Sequence, residues 1–353
     1  MRMIGQCRWR GLGASGLTLA LFLTMAGCER SEEGRVGRRL SENTRICVIG
    51  PYETHPDWQG IRGGARRYGA RYSHIECLAV APTRDDPELL AALVGTVCDN
   101  NPQAVCLVVS DPDVARPIAR KIQEHTPPIL LVIIGPQLDG VRAYGNVEVD
   151  WAPGAGLLGE KLAEVTTGGR SYSLVHNRGR DPVASQCFDR FTVAAHRLAD
   201  VHELEVRDAS AAGVSESELI RELLALYPNT GLMVTLDPEP WLAASPETLL
   251  GSNCRFGTLS TAPRLWPALR RGQAAALVGP LHGDIGYAAM DMAVRGLMEI
   301  PSATRRTAIP CELVTPGTLD DFAQRYAESA GLSVGALDPF EDVTPAASQP
   351  GGG

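Results

Sequence analysis

From residue 45 onward the chain alternates short, wholly apolar runs with amphipathic segments of helical period, and few architectures accommodate that pattern. The strand-like runs cover 45–50, 76–81, 104–110 and 128–135. Runs apolar on both faces need cover on both sides, so they predict parallel strands with helices packed between them. The segment 57–68 sets Ile61, Ala65 and Tyr68 on one helical face. Asp86-Pro87 is a cap and first-turn pair ahead of Leu89, Leu90, Leu93, Val94 and Val97. The alternation then resumes, with helices predicted over 151–165, 182–199, 216–226, 263–272 and 284–298. Strands are predicted over 171–176, 203–207, 231–236, 255–260, 274–280 and 310–314. A chain of 353 residues is long enough for two cores of this kind.

The first 28 residues read as a targeting segment. Arg2, Arg8 and Arg10 precede the apolar stretch 17–27, which is too short to span a bilayer and fits a signal peptide. It ends in Met25-Ala26-Gly27-Cys28, which resembles a bacterial lipobox with Met where Leu is usual, and so points to Cys28 as a lipid attachment site. Residues 28–44 are charged and aperiodic and read as a tether. Residues 331–353 read as a disordered tail, being rich in Pro, Gly and Ser toward the end.

The formal charge of −8 and the absence of a basic stripe argue against a nucleic-acid partner. Of nine cysteines, seven remain after Cys7 in the leader and Cys28; Cys47, Cys77 and Cys106 lie in strand-like runs as small hydrophobes. No CxxC pair supports a zinc or redox site, no disulfide is assigned, and no metal or cofactor is expected. The nucleophile-elbow pattern at 331–335 lacks the strand before it and the helix after it. The glycine pattern at 11–16 lies in the leader.

The succession of segments resembles the type I periplasmic binding proteins, the ribose-binding-like group of sugar and solute receptors of ABC importers. The likeness is carried by 46–50 with WQGIRGGARRYG at 58–69, and by PQAVCLVVS at 102–110 with 128–134. It continues in 147–150 with 154–162, QAAALVGP at 273–280 followed by Ile285-Gly286-Tyr287-Ala288-Ala289, and TAIPCELVTP at 307–316. The resemblance implies an α/β fold of two Rossmann-like lobes with parallel sheets, joined by three crossing strands. It puts 45–147 and 280–302 in the first lobe and 148–279 and 303–330 in the second. The ligand would lie in the cleft, where open parallel sheets present the carboxyl ends of their strands.

By the same resemblance Tyr52 and Trp58 would stack on the ligand, unless Trp58 packs into its own lobe. Arg190 would offer a fixed fork of donors. Elsewhere the pattern departs from the family: Gly135-Pro136-Gln137 replaces an Asp-Arg pair, Leu236 precedes Asp237 where Asn is usual, and Leu259 and Pro280 replace Asp and Gln. The expected ligand shell is therefore Tyr52, Trp58, Gln137, Arg190, Leu236, Asp237 and Leu259. Leaving buried hydroxyls unpaired costs about 1–3 kcal/mol each, so an ordinary pentose or hexose fits this set poorly. The resulting expectation is an exported, lipid-anchored binding protein of the periplasm or cell surface. It would capture a small carbohydrate-like or related metabolite for an ABC permease; the alternative is an envelope sensor or interaction protein with a reduced cleft. It is not expected to be an enzyme, since the strand-end candidates His176, Asp237, Glu239 and His282 read equally well as loop residues.

Overall fold

The computed structural model describes residues 40, 43–166, 171–197, 202–250, 254–300 and 305–337. The lipobox, the tether up to residue 39 and the tail from 338 lie outside the described residues. The first lobe begins β1 (Thr44–Ile49), α1 (Trp58–Gly69), β2 (Ile75–Val80), α2 (Pro87–Asp99), β3 (Ala104–Val108), α3 (Pro112–Gln123), β4 (Leu130–Ile134) and β5 (Gly145–Val149). The chain then builds α4 (Trp151–Thr166), β6 (Ser171–His176), α5 (Pro182–Ala195), β7 (His202–Asp208), α6 (Glu216–Leu226), β8 (Leu232–Thr235), β9 (Arg255–Thr258) and β10 (Ala274–Gly279). It returns with α7 (His282–Leu297), β11 (Arg306–Ile309), β12 (Glu312–Val314) and α8 (Leu319–Ala330).

Two six-stranded sheets result, ordered β11-β5-β4-β3-β1-β2 and β12-β10-β9-β8-β6-β7. Every pairing is parallel except β12 on β10. The apolar runs behave as their composition demands. Along β1, Ile46 and Val48 enter the core shared with α1 and α7, whereas Cys47 and Ile49 enter the core under α2 and α3. All seven cysteines of this part of the chain are free thiols.

The Asp-Pro dipeptides repeat a single device. Asp86, Asp111 and Asp181 each accept backbone N–H bonds at a helix start, with proline at the first helical position. Each therefore starts a helix soon after the carboxyl end of a strand and keeps those loops in register with the sheet.

The chain passes between sheets after β5, after β10 and after β11. The third passage falls at Pro310-Cys311, later than the expected boundary at 302–303. β11 pairs with β5 in the first sheet, and only β12 joins the second. The helix α8 also differs from its expected place wholly within the second lobe. Its Phe322 and Tyr326 pack edge-on to Trp266 of the second core. Its last turn lies against α1 and α7, where Gly63 and Gly283 leave no room for a Cβ beside the backbone of Ser329 and Ala330.

Candidate functional site

The buried side chains His176, Glu216 and His282 lie at strand ends or at the starts of the helices that follow. In the second lobe, the Asn177–Asp181 turn follows β6, and Glu216 opens α6 behind the capping box of Ser215 and Glu218. The Asn177 amide donates to Glu216 Oε1, while Glu216 Oε2 is buried with no hydrogen-bond partner. Glu216 is only 4% exposed. Burial, then the neighbouring Asp237 carboxylate, push its carboxyl up to about 9, with Glu239 adding to the shift and Arg180 and Asn177 opposing it. Glu216 is thus a neutral acid at pH 7.

Arg180 pairs with Asp237 across the β6 and β8 loops and, through Nε, with Asp181 at 3.0 Å. The Asp237 loop is held from behind by a directional chain. Trp241 Nε1 donates to Thr235 Oγ1 (2.7 Å), the Thr235 and Thr258 hydroxyls bond at 2.9 Å, and Thr258 Oγ1 donates to the Asp237 carbonyl at 3.3 Å. Thr258 spends its one proton on the Asp237 carbonyl, so Thr235 is the donor between the two hydroxyls, which fixes the sense of the chain. Beside this cluster His176 is buried, accepts the Arg178 N–H on Nδ1 at 3.1 Å, and lies 3.9 Å from Asp208. Burial lowers the His176 pKa against the pull of Asp208.

In the first lobe Tyr52 is half-buried, with its ring 5.1 Å from that of His55. Burial, Asp85 and Asp57 all raise its hydroxyl pKa. Asp57 Oδ1 meets His282 Nε2 at 3.0 Å, and His282 Nδ1 meets the Tyr326 hydroxyl at 3.0 Å. Burial alone would push the Asp57 carboxyl up. The charge and hydrogen bond of His282, with His55 behind, outweigh it and hold the group at about 2. This triad ties the β1 loop, the second crossing and α8 together. Among the described residues no hydrogen bond or ion pair joins His176 or His282 to Asp237 or Glu239, so these four do not form one acid–base constellation.

Several expected ligand residues lie elsewhere. Trp58 has 0% exposure and packs in the first core, where a Cβ at Gly50 would stand 2.5 Å from its ring. It opens α1 from within the core and offers no free stacking face. Leu259, 4% exposed, and the partly buried Leu236 pack with α4 in the second core, so the loss of polar residues there serves packing. Arg190 is exposed, eight residues along α5 from Pro182 and so about 12 Å down the helix from its start at the strand ends. Gln137 is exposed after Gly135, whose φ of 122° suits glycine. Tyr52 and Asp237 remain at the strand ends and partly accessible. Asn177, Arg180 and Glu216 were missed. The turn after the predicted strand 171–176 was the available signal for the first two, but nothing local marks Glu216 as buried.

No family model and no curated protein matches the sequence. Solved structures do match in fold. AraP, an arabinose-binding protein from Geobacillus stearothermophilus, aligns with TM-score 0.66 and 12% identity over 80% of this chain and 99% of its own. An ABC transporter periplasmic solute-binding protein from Actinobacillus succinogenes with bound D-allose gives 0.64 and 15%, over 79% and 100%. A LacI-type transcriptional regulator from Bacteroides fragilis, so described provisionally, gives 0.62 and 14%, over 80% and 99%. The chain has the two-lobed α/β fold of type I periplasmic binding proteins. Among the described residues no helix is long and apolar enough to cross a membrane.

Proposed function

We propose that this protein is a binding protein without catalytic activity that captures a small solute between its two lobes. The observation that carries the reading is the braced polar cluster at the carboxyl ends of β6 and β8. There Asn177–Glu216 and Arg180–Asp237 meet, with one buried carboxyl oxygen left unpaired. Such an oxygen costs stability unless something completes it, and a ligand in the cleft does so. Tyr52 is the aromatic surface on the opposing lobe. Similarity to sugar-binding proteins of ABC transporters supports a carbohydrate-like or related metabolite. The lipobox-like Met25-Ala26-Gly27-Cys28 supports export and lipid anchoring at the periplasmic or cell surface, and the similarity to an ABC transporter solute-binding protein supports an ABC permease as partner.

A second reading, an envelope sensor or interaction protein with a reduced cleft, is favoured by the burial of Trp58 and Leu259 in the two cores. Native mass spectrometry of protein purified from its source cell tests the first reading. A mass excess of a small solute, lost on unfolding, is expected. Bare protein that is also not stabilised by any member of a metabolite library would contradict it, since a ligand at 100 times its dissociation constant stabilises by about 2.7 kcal/mol.

A further inference from the structure

We infer that the captured solute carries a positive charge, as an ammonium group, and that Glu216, with Asp237 beside it, is where that charge is held. The inference rests on the proposed capture between the lobes and names the ligand's chemistry.

Three observations lead to it. Glu216 is only 4% exposed, yet its Oε2 is buried with no hydrogen-bond partner, while Arg180 and Asp237 beside it are paired with each other. The charges acting on it are mainly negative: Asp237 and Glu239 from the β8 loop, against the single guanidinium of Arg180, which also serves Asp237 and Asp181. Arg178 is committed to Asp189 at 2.9 Å, and His176 of β6 lies beside Asp208. The first lobe repeats the sign. The half-buried Tyr52 ring, edge-on to His55, stands near Asp85 and near Asp57, which His282 partners, and Arg62 is neutralised by Glu53 at 2.8 Å. An aromatic face flanked by carboxylates suits a cation.

An anionic solute would meet this cluster with like charge. A neutral one would leave Glu216 protonated, because it would add no positive charge beyond Arg180, which is already shared with Asp237 and Asp181. An ammonium group supplies the missing charge and donors, so Glu216 gives its proton to the buffer as the ligand binds. The neutral acid and the cation become a carboxylate–ammonium pair plus one released proton. Elevation of the Glu216 pKa agrees with this exchange.

The test is titration calorimetry at pH 7.5 in phosphate and in Tris, whose ionisation enthalpies differ. The probes are glucosamine, galactosamine, mannosamine and putrescine, each beside its neutral counterpart, together with glucuronate and galacturonate. At least one cation is expected to bind about ten- to 150-fold more tightly than its neutral partner. The difference between buffers should correspond to nearly one proton released. Glu216→Gln should remove both the preference and the proton, and circular dichroism should show it folded.

Tighter binding of a neutral or anionic probe, or no proton release, overturns the inference. So does a retained solute that proves neutral or anionic, though that result leaves solute capture standing. If no probe binds and no solute is retained, both readings fail together.

Discussion

Glu216→Gln is expected to remove a steep alkaline decline from the stability profile of the unliganded protein. The folded carboxyl holds its proton to about pH 9, whereas in the unfolded chain it releases it near 4.5. Between these values the native state binds more protons than the unfolded state, so stability falls as pH rises. This contribution is intact below pH 4.5 and is lost as pH rises through 9. The slope is up to about 1.4 kcal/mol per pH unit. Glutamine keeps the bond with Asn177 but does not titrate, so the difference between the two proteins should grow in the variant's favour from pH 5 to 8.5. Other carboxylates are common to both and cancel. Urea unfolding at pH 5, 7 and 8.5 reads this directly. A difference that does not vary with pH would show that Glu216 ionises normally.

The second large effect concerns the glycines that let helices meet. A Cβ at Gly64 would overlap the carbonyl of Gly283, so α1 and α7 would have to separate along their shared face. Rigid backbone cannot yield as a side chain does. Gly64→Ala is therefore expected to cost about 3 kcal/mol, the upper part of the usual range for overpacking. Gly156→Ala is the counterpart. That position lies inside α4 with nothing within 4 Å of the new Cβ, and its φ is not in the left-handed region. It should stabilise by about 0.4–1 kcal/mol through the unfolded chain. Chemical unfolding of both variants checks the pair. Equal midpoints would mean that α1 and α7 do not pack as described.

Those two glycines also mark what the sequence makes legible. The apolar runs and caps reveal most strands and helices, because burial on both faces leaves an unbroken pattern, as in 104–110 and 274–280. The strand 171–176 and the helix 216–226 are found with their observed ends, and in the structure Ser215 and Glu218 close the helix start as a capping box. β11 is harder: Arg306–Ile309 is short and half polar, and its allegiance to β5 is a long-range fact. α8 has a clear apolar face, but one helix face cannot show that it serves two cores.

The site is less legible for a different reason. Trp58 and Leu259 stand where the resemblance places a ligand, and only three-dimensional packing reveals that their side chains turn inward. Arg190 and Arg180 look alike in sequence. Their difference is distance from a strand end, about 12 Å along a helix. Glu216 resembles any first-turn glutamate, and its burial arises from the meeting of three loops distant in sequence.

Hydrogen exchange of the purified protein, before and after removal of its retained solute, tests capture between the lobes most directly. The solute is expected to slow exchange simultaneously at 51–57 in the first lobe and at 177–181 and 236–239 in the second. Protection confined to one lobe, or located only in the surface hollow beside Cys254 and Arg271 at the amino ends of β9 and β10, would contradict it.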